Sequence, residues 1–252
     1  MGEDTWDEAV DRAAQAGATL VAVAGGDGSL RLAATAVMRH GLTLGIIPTG
    51  TGNALARELG IPLDPNAAWL ALGKPGTATP LDVGTVNGQA FLTVATVGIT
   101  SGIAKEVSRL PKASFGTAVY IPALVRAFGK STPFSLRVEA GGKVFEGAAH
   151  QCVVGVGSKQ GALMALHPEA SRTDGLLNVY VVEAAGYSSL RAYAAGLAGQ
   201  ALGLTNPLWT ASATDISVEV KRSRTFVLDG DRFKWESARA SVVAGGLKVW
   251  LA

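Results

Sequence analysis

The sequence predicts an α/β lobe followed by a β-rich sandwich lobe, placed at residues 1–80 and 81–252. Three observations lead there. Thr19–Ala24 and Leu42–Ile47 are short, nearly all-apolar runs, each followed by a glycine-bearing turn and a helical repeat. Strands covered on both faces of a parallel sheet read this way. From about Leu81 the pattern changes to longer segments joined by Asn87-Gly88 and Gly141-Gly142, dipeptides that hairpin turns prefer. Finally, 48% apolar and 17% charged residues give a chain that packs a core rather than staying disordered.

In chain order, Thr5 to Glu8 reads as a capping box opening a helix through Trp6, Ala9, Val10, Ala13 and Ala14, with Gly17 as its stop. The strand Thr19–Ala24 follows, then Gly25-Gly26-Asp27-Gly28 and a helix from Ser29 to His40. The strand Leu42–Ile47 leads through Pro48-Thr49-Gly50-Thr51-Gly52-Asn53 into a short helix, Ala54 to Leu59. Asp64 and Pro65 supply the N-cap and first position of another helix, which Gly73 ends. In the second lobe, Asp82–Val86 and Gln89–Val97 form one predicted hairpin, and Pro133–Ala140 with Lys143–Val156 another. Ala240–Ala244 and Leu247–Leu251 form a third around Gly245-Gly246. Leu176–Glu183 and Asp215–Leu228 read as further strands, and Phe115–Phe128 and Ser188–Leu204 as helices. The extreme C-terminus is expected to pack back on the first lobe.

A formal net charge of +2 carries no global basic field, so nucleic acid is not an expected partner. The one cysteine, Cys152, excludes an internal disulfide and a cysteine-based zinc cluster, and a reducing cytoplasm is the expected location. No leader is visible after Met1, and no apolar run reaches the roughly 18 residues of a membrane span. Any membrane contact is therefore expected to be peripheral, at the inner face. Lys105, Arg109, Lys112, Arg126 and Lys130 offer either a basic face toward anionic headgroups or an ordinary solvated surface. His40, His150 and His167 have no metal-ligand spacing, and Cys152 reads as an inert buried thiol.

Two loops carry the chemistry. In Gly25-Gly26-Asp27-Gly28-Ser29, between a buried strand and a helix, glycines let backbone N–H groups close around phosphate oxygens. The helix N-terminus adds about half a positive charge toward the same ligand, and Ser29 offers a hydroxyl as cap or phosphate donor. Asp27 asks for a metal or a ribose hydroxyl as partner. Gly50-Thr51-Gly52-Asn53 repeats the strand–loop–helix arrangement about 25 residues on. Two such loops after successive parallel strands lie side by side at the sheet edge where open α/β folds bind ligands.

With these residues in view, the chain resembles the catalytic domain of the diacylglycerol kinase and sphingosine kinase family, bacterial lipid kinases included. GGDGS followed by LGIIPTGTGNALARELGIP carries the likeness. Leu81-Asp82-Val83-Gly84, Ser171–Leu177 (SRTDGLL) and Val227–Asp231 (VLDGD) extend it in the family's order. The resemblance implies an NAD-kinase-like α/β lobe, ATP and Mg2+ as cofactors, and a lipid alcohol such as diacylglycerol as acceptor. By position, Gly25 and Gly26 to Leu32 (Asp27, Gly28, Ser29, Leu30, Arg31) and Gly50, Thr51, Gly52 and Asn53 would hold the nucleotide. Asp27 would help place metal-bound phosphates. Asp229 or Asp231 would take the proton of the attacking hydroxyl, with Asp231 standing where the family usually has Glu. Ser171, Asp174 and the Leu176 carbonyl would hold a structural Mg2+. NAD kinases share the first loop but not GTGNALAR, and a soluble NAD acceptor is the rival reading. A third reading is a homologue that binds nucleotide without turnover. Family members carry a further strand, an N-P-x-S-G-like loop, a helix and a strand ahead of the helix that opens this chain. The resemblance thus leads us to expect a clipped or variant start, an open sheet edge and a possible homodimer.

Overall fold

The computed structural model describes residues 3–99, 131–157, 170–184 and 209–252. The first lobe runs α1 (Glu3–Gln15), β1 (Leu20–Gly25), α2 (Asp27–Arg39), β2 (Thr43–Pro48), α3 (Ala54–Glu58) and α4 (Pro65–Leu72). β1 and β2 are parallel and in continuous register from Leu20 opposite Thr43 to Gly25 opposite Pro48. Val10 of α1, Leu30, Ala33 and Val37 of α2, and Leu44 and Ile46 of β2 form one buried cluster. Their helical and strand spacings put each on the inward face of its element.

The β-rich lobe contains β3 (Thr77–Val86), β4 (Gln89–Phe91), β5 (Val94–Gly98), β6 (Phe134–Ala140), β7 (Lys143–Val156), β8 (Leu177–Glu183), β9 (Trp209–Ala213), β10 (Asp215–Leu228) and β11 (Asp231–Leu251). One sheet path, β1-β2-β11-β10-β5-β7-β8-β9, joins the lobes. The α/β lobe and the β-rich lobe therefore stand as the sequence predicts. Lys248 and Val249 of β11 pair with Thr43 and Leu44 of β2. β3 runs through residues 80 and 81 without a break, with Leu81 and Val83 in the first lobe's core and Val86 in the second's. Among the described residues β1 pairs with β2 alone.

Several elements differ from expectation. α1 begins at Glu3, so Thr5 lies inside the helix rather than at its N-cap position. α2 begins at Asp27 with Gly26 as N-cap, two residues before the predicted Ser29. The expected strand Gln89–Val97 is two strands, broken at Leu92-Thr93, because the amides there turn toward Asp229. The expected third hairpin does not exist. β11 continues through Gly245-Gly246 as a bulge, with Val243 opposite Val83 and Leu247 opposite Leu81. Gly245 takes φ +58 there, and its N–H donates to buried Asp82 at 2.8 Å. The predicted helices Phe115–Phe128 and Ser188–Leu204, the basic residues from Lys105 to Lys130, and His167 lie outside the described residues.

Candidate active site

The two glycine loops touch. A Cβ on Gly50 would lie 2.5 Å from the Gly26 Cα, closer than any side chain tolerates, so only glycine permits the approach. Asn53 sits in the left-handed region at φ 49, which Asn accepts more readily than most residues. Its side chain closes the second loop on itself, accepting from the Gly50 N–H at 3.0 Å and donating to the Gly50 carbonyl at 2.8 Å. Asp27 spans the gap: its Oδ2 accepts from the Ala54 N–H and its Oδ1 from the Leu55 N–H, both at 3.1 Å. An acid in the first loop thus caps the helix that follows the second, and that bond fixes the two loops relative to each other.

Around Gly28 the first turn of α2 is partly exposed among the described residues. A Cβ on Gly28 would meet nothing within 4 Å. Gly26 caps α2 without a side chain, so among the described residues no N-cap side chain takes up the first-turn amides of this 13-residue helix. The donor set and the free space fit a nucleoside polyphosphate. Ser29 sits in that first turn rather than at the cap, with its Cβ against Gly25. Leu30 is core, and the Arg31 side chain turns away from the loop.

Arg31 lies on the next turn of α2 and is 4% exposed. Its Nε and Nη2 donate to Asp231 Oδ2 at 2.9 and 2.6 Å. The guanidinium also lies 5.8 Å from the Phe233 ring centre. The structure therefore gives Arg31, grouped by position with the nucleotide contacts, to Asp231 at the start of β11. Asp231 Oδ1 appears in none of these bonds, and the side chain is 46% exposed. Asp229 differs. Leu92 N–H donates to its Oδ2 at 2.5 Å, and Thr93 and Val94 N–H donate to its Oδ1 at 3.0 and 2.9 Å. Burial pushes its carboxyl above the ordinary value, opposed by these three donors. Both its oxygens are committed to the backbone, whereas among the described residues no hydrogen bond engages Asp231 Oδ1.

The residues resembling a metal site do not fit a resident divalent cation. Asp174 accepts from Ser171 N–H at 2.8 Å and from Leu176 N–H at 2.9 Å, and Ser171 Oγ lies 3.0 Å from Thr173 Oγ1. That is the bonding of a tight turn, with one carboxylate where a hard cation wants several charged oxygens. Among the described residues no group of three or more His, Cys, Asp or Glu is arranged to hold a metal. Cys152 is buried, and burial pushes its thiol up to about 12, which leaves it inert. His40 bonds Asp11 and His150 bonds Ser131, each at 2.7 Å.

Sequence reasoning missed two buried groups. Arg172, in a turn chosen only for its Asp-Gly, donates to Glu58 at 2.7 Å and to the Leu92 carbonyl at 2.6 Å. Asp82 accepts from Gly175 and Gly245 N–H at 2.7 and 2.8 Å, tying β3 to that turn and to the β11 bulge. A buried charge inside an apolar strand was the available signal for Asp82. None marked Arg172.

Residues 2–86 match the diacylglycerol kinase catalytic domain, and residues 93–251 match the YegS C-terminal NAD kinase beta sandwich-like domain. A probable lipid kinase YegS-like from Pseudomonas aeruginosa (strain UCBPP-PA14) is 32% identical over 98% of this chain and 83% of its own. Diacylglycerol kinase of Bacillus subtilis (strain 168) is 28% identical over 84% of this chain and 71% of its own. The crystal structure of a diacylglycerol kinase from Bacillus anthracis str. Sterne superposes with a TM-score of 0.74 at 24% identity, covering 96% of this chain and 82% of that one. At that identity the superposition speaks for the fold, and the matched domains and the relatives speak for more. The chain belongs to the diacylglycerol kinase catalytic-domain family of lipid kinases, with the YegS-type sandwich domain joined to it.

Proposed function

We propose that the protein transfers the γ-phosphoryl group of ATP to a hydroxyl of diacylglycerol or a related lipid alcohol at a membrane face it touches peripherally. The observation that carries this is the joining of two glycine loops, one with free space at Gly28, with a carboxylate held one turn away by Arg31. Among the described residues no helix is long and apolar enough to cross a membrane.

Phosphoryl transfer asks mainly for alignment and charge neutralisation. The amides at the start of α2 and the glycines of both loops bind and orient the triphosphate. Asp231 Oδ1 accepts the proton of the acceptor hydroxyl as its oxygen bonds to the γ-phosphorus and the bond to the ADP oxygen breaks. Arg31 fixes the direction of Oδ1 by holding Oδ2. Asp229 shapes the turn that presents Asp231. Magnesium bound with the nucleotide would neutralise phosphate charge, and the Asp174 turn, bonded to its own Ser171 and Leu176 amides, would not supply a second site.

The test is transfer of labelled γ-phosphate from ATP to a lipid extract and, separately, to NAD. Label in a lipid alcohol supports the reading. Label in NAD alone favours the soluble-acceptor chemistry of a dinucleotide kinase. Nucleotide binding with no transfer to either identifies a homologue without turnover.

A further inference from the structure

Asp27 in the first glycine loop and Asp229 at the hairpin tip lie at the two ends of one continuous run of hydrogen bonds. Asp27 accepts from the first amides of α3, at Ala54 and Leu55. The last residue of α3, Glu58, accepts from Arg172 Nη2 at 2.7 Å. Arg172 Nη1 donates to the Leu92 carbonyl at 2.6 Å. The Leu92 N–H donates to Asp229. Every link is either charge-assisted or a backbone bond.

The central pair is costly on stability grounds alone. Arg172 and Glu58 side chains are 7% and 8% exposed, and Arg172 Nε has no partner among the described residues. A buried ion pair with an orphaned N–H does no better than well-packed apolar side chains of similar volume. What it adds is direction. The guanidinium is a rigid planar fork that fixes two acceptors at once. Its surroundings leave little slack. A Cβ on Gly157, at the end of β7, would lie 2.7 Å from Arg172 Cγ and 2.8 Å from Glu58 Oε1. The Arg172 carbonyl is itself held by the Asp82 N–H at 2.8 Å. Leu92 and Thr93 belong to neither β4 nor β5, and the Val156 N–H of β7 donates to the Thr93 carbonyl at 3.1 Å, so a shift of this segment is felt by β7 as well.

We propose that Glu58 and Arg172 are positioning residues that make the placement of the Asp229-Gly230-Asp231 turn depend on occupancy of the glycine loops. Phosphate drawn into the loops moves the Asp27-capped end of α3. The five-residue helix, a rod of about 7 Å, carries the movement to Glu58. Arg172 passes it to the Leu92 peptide, and Asp229 follows through its three amide bonds. This inference rests on the reading that the loops hold nucleotide phosphates. It does not depend on which alcohol is the acceptor.

The experiment is hydrogen exchange at the amides of residues 92–94, with and without ATP and magnesium, beside kcat and the KM for ATP. In the wild type, nucleotide is expected to slow exchange there. The double variant Glu58→Leu/Arg172→Leu is expected to melt near the wild type and bind ATP within about threefold. It is also expected to lose that protection and drop kcat about tenfold or more, since small misplacements cost that much. Glu58→Gln keeps an acceptor for Arg172 and is expected to retain both. Should the double variant fold poorly, Arg172→Lys supplies the same reading, because the shorter ammonium lacks the rigid planar fork that fixes the directions of Glu58 and Leu92 together. Nucleotide-dependent protection and kcat unchanged in a folded, ATP-binding double variant or in Arg172→Lys overturn the inference alone. Failure of the wild type to bind ATP overturns it together with the proposed function.

Discussion

Arg31 donates both Nε and Nη2 to the same oxygen of Asp231, at 2.9 and 2.6 Å, tying the second turn of α2 to the start of β11. The two partners are unequally buried, with side chains 5% and 46% exposed. Removing one is therefore not equivalent to removing the other. Asp231→Ala strands a buried guanidinium and is expected to cost about 2 kcal/mol, a buried-pair figure reduced for the half-exposed partner. Arg31→Met leaves only an exposed carboxylate and is expected to cost less than half of that. Urea unfolding of both variants measures the asymmetry. Turnover should fall in both, because Arg31→Met frees the Oδ1 direction while leaving the acid in place.

Asp229→Asn tests the backbone clasp. Asn tolerates the left-handed conformation that Asp229 adopts at φ 47, so strain is not introduced. Its amide group, however, must face at least one of the three N–H donors, for an expected loss of about 2 kcal/mol. The pH dependence is directional. The folded carboxyl binds its proton more tightly than the unfolded one, so the wild type gains stability as pH falls through the raised folded value toward 3.8. Asn has no such titration. The wild type's advantage over Asp229→Asn is therefore expected to widen on acidification and to be smallest at neutral pH and above. Unfolding both proteins at a series of pH values reads this out.

Gly28→Ala and Gly50→Ala separate binding from folding. The Gly28 Cβ meets nothing, and alanine favours the first helical turn, so stability is expected to hold or rise by about 0.5–1 kcal/mol. The new methyl occupies the free space at Gly28, and ATP affinity is expected to fall at least about tenfold. The Gly50 Cβ would lie 2.5 Å from Gly26 Cα, so the loops must part. Stability is then expected to fall by about 1–3 kcal/mol along with binding. Calorimetry with ATP and thermal melts together give the two signatures.

Chelation provides a further check. Because Asp174 spends its oxygens on the Ser171 and Leu176 amides, EDTA is expected to leave the melting temperature of the free protein within about 1 °C. Asp174→Ala, by contrast, removes the turn's acceptor and is expected to cost about 1 kcal/mol.

What the sequence revealed was local. Apolar runs ahead of glycine loops located β1, β2 and both cradles, and Asp64-Pro65 located the start of α4, whose Asp64 side chain accepts from Ala67 N–H at 2.8 Å. What it hid depends on partners distant in the chain. The break between β4 and β5 follows from a carboxylate 136 residues away from Thr93, and Arg31 meets Asp231 across 200 residues. Gly245-Gly246 has the composition of a hairpin turn, yet it becomes a bulge because β3 pairs on both sides of it and Asp82 waits for its amide. No local pattern distinguishes Arg172, whose importance comes entirely from Glu58 and Leu92.

The most direct measurement is phosphate transfer from labelled ATP to diacylglycerol-containing vesicles by the wild type and by Asp231→Asn, with both proteins shown to melt alike and to bind ATP alike. Asn keeps an oxygen for Arg31 but cannot take a proton, so lipid labelling by the wild type and a loss of about a hundredfold or more in the variant is the expected result. Equal labelling by the two proteins would contradict the assignment of Asp231 as the base.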